Sequence, residues 1–235
     1  MLINTKAIVF KSVKFQESSL IVKMFTETHG VQTFMVKGVR SVRANGKAAM
    51  FQSGMLLDII MYYQENKSFK TIKEYKASYV YNTAFYDIRK SSVLMFLLEV
   101  LERCIHDDHE DDKLFLFVSS SLMNFDKEAF TPDFHIYFLL EFMKHLGIFP
   151  SGQCTQGTPY FSIKEGEFVA TGQNNPFVIN QRDSAVFAGI LTAAGRLNNR
   201  NERKKVLAII IEYFTFHIEN FKGVKSLKVL ETILA

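Results

Sequence analysis

Lys37-Gly38-Val39-Arg40-Ser41-Val42-Arg43-Ala44-Asn45-Gly46-Lys47 sets four cations in eleven residues, with no carboxylate among them. Cationic side chains at that density neutralise phosphates, and each phosphate so neutralised releases condensed counterions, so binding weakens as salt rises. Glycines and small residues between them let the backbone approach a ligand closely. Lys37, Arg40, Arg43 and Lys47 are therefore candidate phosphate ligands. Lys11, Lys14 and Lys23 join them if their segments fold as neighbouring strands. Phe10, Phe15, Phe25 and Phe34 offer rings on which bases could stack, although most of them must be core in a domain this small. Residues 1–80 hold 12 Lys/Arg against 5 Asp/Glu, whereas residues 81–235 hold 16 against 19. A basic front and a mildly acidic back point to an anionic partner for the front, with nucleic acid the leading class.

Other chemistries find less support. Gly46-Lys47 ends its stretch in the manner of a nucleotide-phosphate loop, but Ser41 stands where that loop needs glycine and Ala48 where it needs a hydroxyl. No nucleophile elbow, zinc-protease helix or kinase set is present. The run His106-Asp107-Asp108-His109-Glu110-Asp111-Asp112 has ligand atoms for a hard cation, yet no glycine supports the turn that would converge them. It reads instead as a solvated link whose carboxylates favour the start of the next helix. His135, His145 and His217 are read as structural, and the Phe134, Phe138, Phe142 stripe as core. Two cysteines, Cys104 and Cys154, are too few for a disulfide framework and suit a reducing, cytoplasmic setting. No cofactor is expected. The first residues lack a leader pattern, and runs such as Val93–Leu98 and Val206–Ile211 fall well short of the roughly 20 residues a membrane helix needs.

The elements that must position these residues change character near residue 80. Ala7–Phe15, Leu20–Thr26, Val31–Lys37, Met55–Tyr63 and Phe69–Ala77 read as five strands, with Glu27-Thr28-His29-Gly30 as a tight hairpin turn. Five strands in so short a span, with a long basic loop after the third, predict a small closed barrel of the OB type. From Tyr86 the apolar period becomes helical: Tyr86–Ile105, Leu114–Phe125, Asp133–Leu146, Asp183–Ala194, a helix running to Ile218, and a short last one. Thr131, Asp183, Asn201 and Ser226 are the expected N-caps. Ser151–Asn175 is glycine-rich without a helical period, and Tyr160–Ile163 with Glu167–Thr171 predicts an inserted β-hairpin. The expected fold is thus α+β: an OB-fold barrel over 1–80, then a mainly helical domain over 81–235 with an insert at about 150–177.

The strand residues Ala7-Ile8-Val9-Phe10-Lys11-Ser12, Glu17-Ser18-Ser19-Leu20-Ile21-Val22, Phe25-Thr26, His29-Gly30, Val36-Lys37-Gly38-Val39-Arg40 and Phe51-Gln52 resemble, in order and spacing, those of the RecO family of DNA repair proteins. The resemblance resumes at His145-Leu146-Gly147-Ile148-Phe149-Pro150 and at His217, Phe221-Lys222-Gly223 and Lys225-Ser226-Leu227. Many members carry four cysteines in two pairs around the insert hairpin, where this chain keeps Cys154 alone. One thiolate cannot make a tetrahedral sulfur site. The insert is expected to be held by packing through Tyr160, Phe161, Phe168 and Phe177, with no zinc.

The resemblance implies a recombination mediator in homologous recombination, cytoplasmic and associated with the nucleoid. Members bind single- and double-stranded DNA, anneal complementary strands, join RecR, contact the acidic-hydrophobic tail of the single-stranded-DNA-binding protein, and help to load RecA. Annealing makes and breaks no covalent bond, so no enzyme is expected. The tail needs an apolar pocket with a cation beside it, and Arg103, Lys113 and Lys144 on the helical domain are the candidates. Two other readings compete. One is an OB-fold adaptor for RNA or protein; the other is a metal-dependent nuclease using Asp107, Asp108, Asp111 and Asp112.

Overall fold

Ile3, Thr5, Ala7 and Val9 are buried between exposed Leu2, Asn4 and Lys6, which is the period of a strand with one face in a core. From Ala7 to Phe10 every residue is buried, so both faces of this strand are covered there. The strand runs Leu2–Phe15 (β1), starting earlier than its apolar stretch suggests because Asn4 and Lys6 occupy only the solvent side. In the computed structural model, residues 1–41, 46–105, 110–172, 175–192 and 195–234 are described. They fall into two compact units, Met1–Phe130 and Thr131–Ala235.

In the first unit β1 is followed by Ser19–Thr26 (β2), Gly30–Val36 (β3), Leu56–Tyr62 (β4) and Thr71–Ala77 (β5). All pair antiparallel in the order β3-β2-β1-β4-β5, an OB-like sheet. The β2–β3 turn forms as its residues dictate: Gly30 takes φ 57°, and the Thr26 hydroxyl donates to the Gly30 carbonyl at 2.8 Å. Inside lie Val9, Val22, Met24, Phe34, Phe51, Leu57 and Ile59.

The expected closed barrel is corrected here: the sheet is not closed. Its two edges meet at a parallel bridge between Phe34 and Lys70, where the Lys70 amide donates to Thr33 O at 2.8 Å and the Met35 amide donates to Lys70 O at 3.0 Å. Beyond it β5 offers Ile72 and Tyr75 to the core while Thr71, Lys73, Glu74 and Lys76 stay exposed. A strand with so few inward apolar residues gains little by zipping onto β3.

Two helices complete this unit, Ile88–Cys104 (α1) and Asp112–Lys127 (α2), with Asp87 and Asp111 as side-chain N-caps. The middle of α1 is buried on almost every side, including Val93, Phe96, Leu97, Val100 and Leu101. Phe115 of α2 lies 5.4 Å from Phe25, whose other neighbour is Phe10 at 5.9 Å. These rings cover the outer face of the sheet at Phe10 and Phe25. The segment from the sheet into α1 is tied down by Asp126. Its carboxylate accepts from the amides of Asn82 (2.9 Å), Thr83 (2.8 Å) and Ala84 (2.7 Å) and from the Tyr79 hydroxyl (2.7 Å). Burial alone would raise this carboxyl, but those donors outweigh it and hold it well below the usual carboxylate range.

The second unit contains Phe134–His145 (α3), the hairpin Tyr160–Ser162 (β6) and Glu167–Val169 (β7), then Gln181–Leu191 (α4), Arg200–His217 (α5) and Leu227–Ile233 (α6). Several caps differ from expectation by a few residues. Asn180 and Asn199, not Asp183 and Asn201, accept from the helix amides, at Asp183 N and Glu202 N. Thr131 and Pro132 form a turn ahead of α3, whose N-cap is Asp133. At Ser226 the cap position is as expected, without a side-chain cap bond. The insert hairpin is held by rings as expected. Phe161 is fully buried against Phe168 (5.1 Å), Phe187 (4.9 Å) and Tyr213 (6.2 Å), and Phe177 packs on Phe216 at 4.8 Å. Its turn requires glycine: Gly166 has φ 75°, and a Cβ there would sit 2.8 Å from the Tyr213 hydroxyl.

Candidate nucleic-acid interface

The cations singled out in the sequence do not form one patch. Lys11 and Lys23 are direct cross-strand partners, and Lys23 in turn faces Thr33 on β3. A β-bulge between Val9 and Lys11 sets that register. Lys14 pairs with core residue Leu20, which puts it on the opposite face at the exposed end of β1. The Arg40 guanidinium donates to Gln16 O at 3.1 Å and its amide to Ser18 O at 3.0 Å, so Arg40 braces the β1–β2 turn. Val39 sinks into the core and anchors the loop beside exposed Lys37. Arg43 lies outside the described residues.

Lys37 and Lys47 are the pair that the fold brings together. Both line a groove of about 660 Å³ left between the edges of β3 and β5, with Phe69, Ile72 and Tyr75. Among the described residues no carboxylate lines it. A larger groove of about 930 Å³ lies nearby and shares Lys47 and Tyr75, but Glu27, Asp58 and Glu74 line it too. Lys76 is already paired there with Asp58 at 3.6 Å. Carboxylates repel a phosphate chain, so the smaller groove is the better anion site despite its size.

The stacking candidates need correcting. Phe10, Phe25 and Phe34 are buried, Phe10 and Phe25 beneath the helices and Phe34 inside the sheet, and Phe15 is half-buried. Of the two rings in the groove, Tyr75 is half-buried against the core and Phe69 is 41% exposed, a residue that period-two alternation marks only as the first of a strand.

Arg103, Lys113 and Lys144 do not share a site in one unit. Arg103 on α1 is paired with Glu99 at 2.8 Å, and Lys113 is exposed in the first turn of α2. Lys144, in the second unit, pairs with Glu141 at 2.6 Å and sits 5.1 Å from the Phe149 ring centre. What the second unit does provide is a small cleft of about 40 Å³ lined by Pro132, Leu207, Leu230 and Leu234 with Arg200, Lys204 and Glu231, whose carboxylate pairs with Lys204 at 3.8 Å. His135 also lines it, with its pKa lowered to about 4 by burial first and then by nearby Arg203. The cleft had a sequence signal: Arg200, Arg203, Lys204 and Leu207 recur at helical i, i+3, i+4, i+7 spacing.

Among the described residues no group of three or more His, Cys, Asp or Glu converges as a metal site. His106, Asp107, Asp108 and His109 lie outside them; Asp111 caps α2 by accepting from Leu114 N at 2.9 Å. His217 is engaged with Ile163 O at 2.9 Å, as a structural histidine should be. No helix among the described residues is long and apolar enough to cross a membrane.

Comparison with known proteins bears on both units. A family model described as Recombination protein O N terminal matches residues 1–81, and one described as Recombination protein O C terminal matches residues 86–228. The chain is similar over its whole length to the DNA repair protein RecO of Flavobacterium psychrophilum, at 31% identity with 100% of both chains covered. The protein of that name from Flavobacterium johnsoniae is 33% identical, again with 100% of both covered, and that from Bacteroides fragilis 33% identical with 99% of each covered. Matches this extensive, on an OB-like sheet followed by helices, mean that the chain belongs to the RecO family.

Proposed function

We propose that this protein acts in DNA repair as a non-catalytic mediator, binding single- and double-stranded DNA through residues 1–80. The observation that carries the reading is the groove between β3 and β5, which presents Lys37 and Lys47 with no carboxylate among the described residues of its lining. Lys11 and Lys23, adjacent across two strands, form a second cationic pair on the same sheet, and Lys14, Arg40 and Arg43 add to the basic character of residues 1–80. Relatives named DNA repair protein RecO support the repair role. Family resemblance supports strand annealing, partnership with RecR, assistance to RecA, and a cytoplasmic, nucleoid-associated setting. The test is binding of one length of single-stranded DNA, duplex DNA and RNA across a salt series. Wild-type affinity for DNA should fall steeply with salt. Lys37→Ala with Lys47→Ala should flatten the slope by roughly one unit for each phosphate that is no longer neutralised. Arg43→Ala should add a further increment. An unchanged slope would move the DNA site elsewhere, and a preference for RNA would favour the adaptor reading.

The tail of the single-stranded-DNA-binding protein is assigned to the second unit, in the cleft of Leu207, Leu230 and Leu234. An acidic peptide ending in apolar residues needs an apolar seat and neighbouring cations; Arg200 and Lys204 stand at that seat, and the peptide's carboxylates would take the place of Glu231 on Lys204, a pair at 3.8 Å. Such a peptide, titrated into the full chain, should bind with micromolar affinity, on the order of −8 kcal/mol. Charge reversal at Arg200 and Lys204 should weaken it at least about tenfold while leaving DNA binding intact, a loss of at least about 1.4 kcal/mol. If substitution of Arg103, Lys113 or Lys144 abolishes binding instead, the tail sits on one of those cations.

A further inference from the structure

We propose that Phe69 is a nucleobase-stacking platform that makes the β3–β5 groove selective for unpaired strands. The inference rests on the DNA-binding reading above and adds what the groove distinguishes. An exposed apolar residue is ordinary in itself. Phe69 differs in how firmly the residues on either side of it are held and in what surrounds it.

The next residue, Lys70, is 6% exposed. Its amide and carbonyl are both bonded to β3, at Thr33 and Met35. Its ammonium donates to the carbonyls of Gln64 (2.6 Å), Lys67 (2.7 Å) and Glu65 (3.3 Å) and lies 4.9 Å from the Tyr63 ring centre. A buried cation thus fastens the turn before Phe69 and the strand after it, while the ring itself remains 41% exposed. A ring presented from a fixed backbone loses less freedom when it takes a partner.

The surroundings say which partner. The lining combines the Phe69 and Tyr75 side chains with the cations Lys37 and Lys47 and, among the described residues, no carboxylate. An unpaired strand offers both things such a groove can use, a charged backbone and an open base face. A duplex offers the phosphates but keeps its base faces inside the stack. The lysines therefore serve both forms, and the ring serves single strands alone.

The experiment uses the full chain with labelled oligodeoxythymidine, a duplex of equal length, and a strand of abasic nucleotides with the same charge. Phe69→Ala should weaken binding to oligodeoxythymidine by about 5- to 140-fold, corresponding to the 1–3 kcal/mol typical of one stacked base. Its salt slope and its duplex affinity should stay unchanged, and Phe69→Trp should retain single-strand binding. Wild type and Phe69→Ala should bind the abasic strand equally. Equal weakening of single-strand and duplex binding, or a difference that persists on the abasic strand, would overturn the stacking role. So would undiminished oligodeoxythymidine binding by Phe69→Ala while the lysine variants flatten the slope, and that result would leave the DNA-binding reading standing. If the lysine variants also change nothing, the groove reading itself fails.

Discussion

Replacing Asp126 with Ala is expected to cost about 3–5 kcal/mol of stability, the range for removing one member of a buried, hydrogen-bonded charge network. Asp126 has no exposed surface, and its two oxygens serve three backbone amides and the Tyr79 hydroxyl. The Ala84 amide would be left buried without an acceptor, and the partly buried amides of Asn82 and Thr83 and the Tyr79 hydroxyl would lose theirs. The Lys90 ammonium, itself 3% exposed, is linked to the same knot through the Thr83 hydroxyl at 2.8 Å and donates to Asp126 O and Glu128 O. Asp126→Asn keeps the shape and one acceptor oxygen but turns an amide toward donors, so an intermediate loss is expected. Urea titration followed by circular dichroism reads both; an Ala variant within about 1 kcal/mol of wild type would show that the knot is not what ties the sheet to α1. The pH dependence follows from the same donors. Because the folded carboxyl is depressed, its contribution is complete above the unfolded value of about 4 and is lost as pH falls through the folded value. Asp126→Asn should flatten that part of the acid profile.

A second large effect is expected from Phe161→Ala, about 3–5 kcal/mol, because it empties the centre of a ring cluster formed by Phe168, Phe187 and Tyr213. The loss should appear in the unfolding of the second unit. A metal chelator should leave the melting temperature of the wild-type protein unchanged, since Cys154 is the insert's lone cysteine and aromatic packing already supplies the hairpin's support. Zinc at one per chain, with a melting temperature that falls on chelation, would overturn this and make Cys154 and His145 the ligands to test. A Phe161→Ala protein as stable as wild type would show that the hairpin does not rest on its rings.

Much of the architecture was legible because it is locally encoded. Period-two alternation with Gly30 at a tight turn specifies the β2–β3 hairpin. Continuous apolar character specifies α1 as a buried helix. The glycine turn at Gly166 between Phe161 and Phe168 specifies the insert. Caps slipped by two or three residues because Asn180 and Asn199 compete with equally suitable polar neighbours, and only backbone geometry chooses between them.

By itself the sequence determined the order of an OB-like sheet followed by helices, the basic character of residues 1–80 and the family. Each of these depends on residue type, period and order along the chain. The division into compact units at Phe130 and Thr131 emerged only in the structure, because α1 and α2 pack with the sheet. Tertiary structure alone decided which rings meet solvent and which cations share a groove. Period-two burial looks the same whether the outer face of a strand meets water or a helix, so Phe10 and Phe25 could pass for stacking platforms until Phe115 covered them. Phe69 and Lys37 are 32 residues apart in sequence. They become neighbours because the bridge of Phe34 to Lys70 brings the edges of β3 and β5 together and the sparse apolar face of β5 leaves them parted beyond it. The cleft of the second unit likewise needs α5 beside α6, a long-range packing that no local pattern encodes.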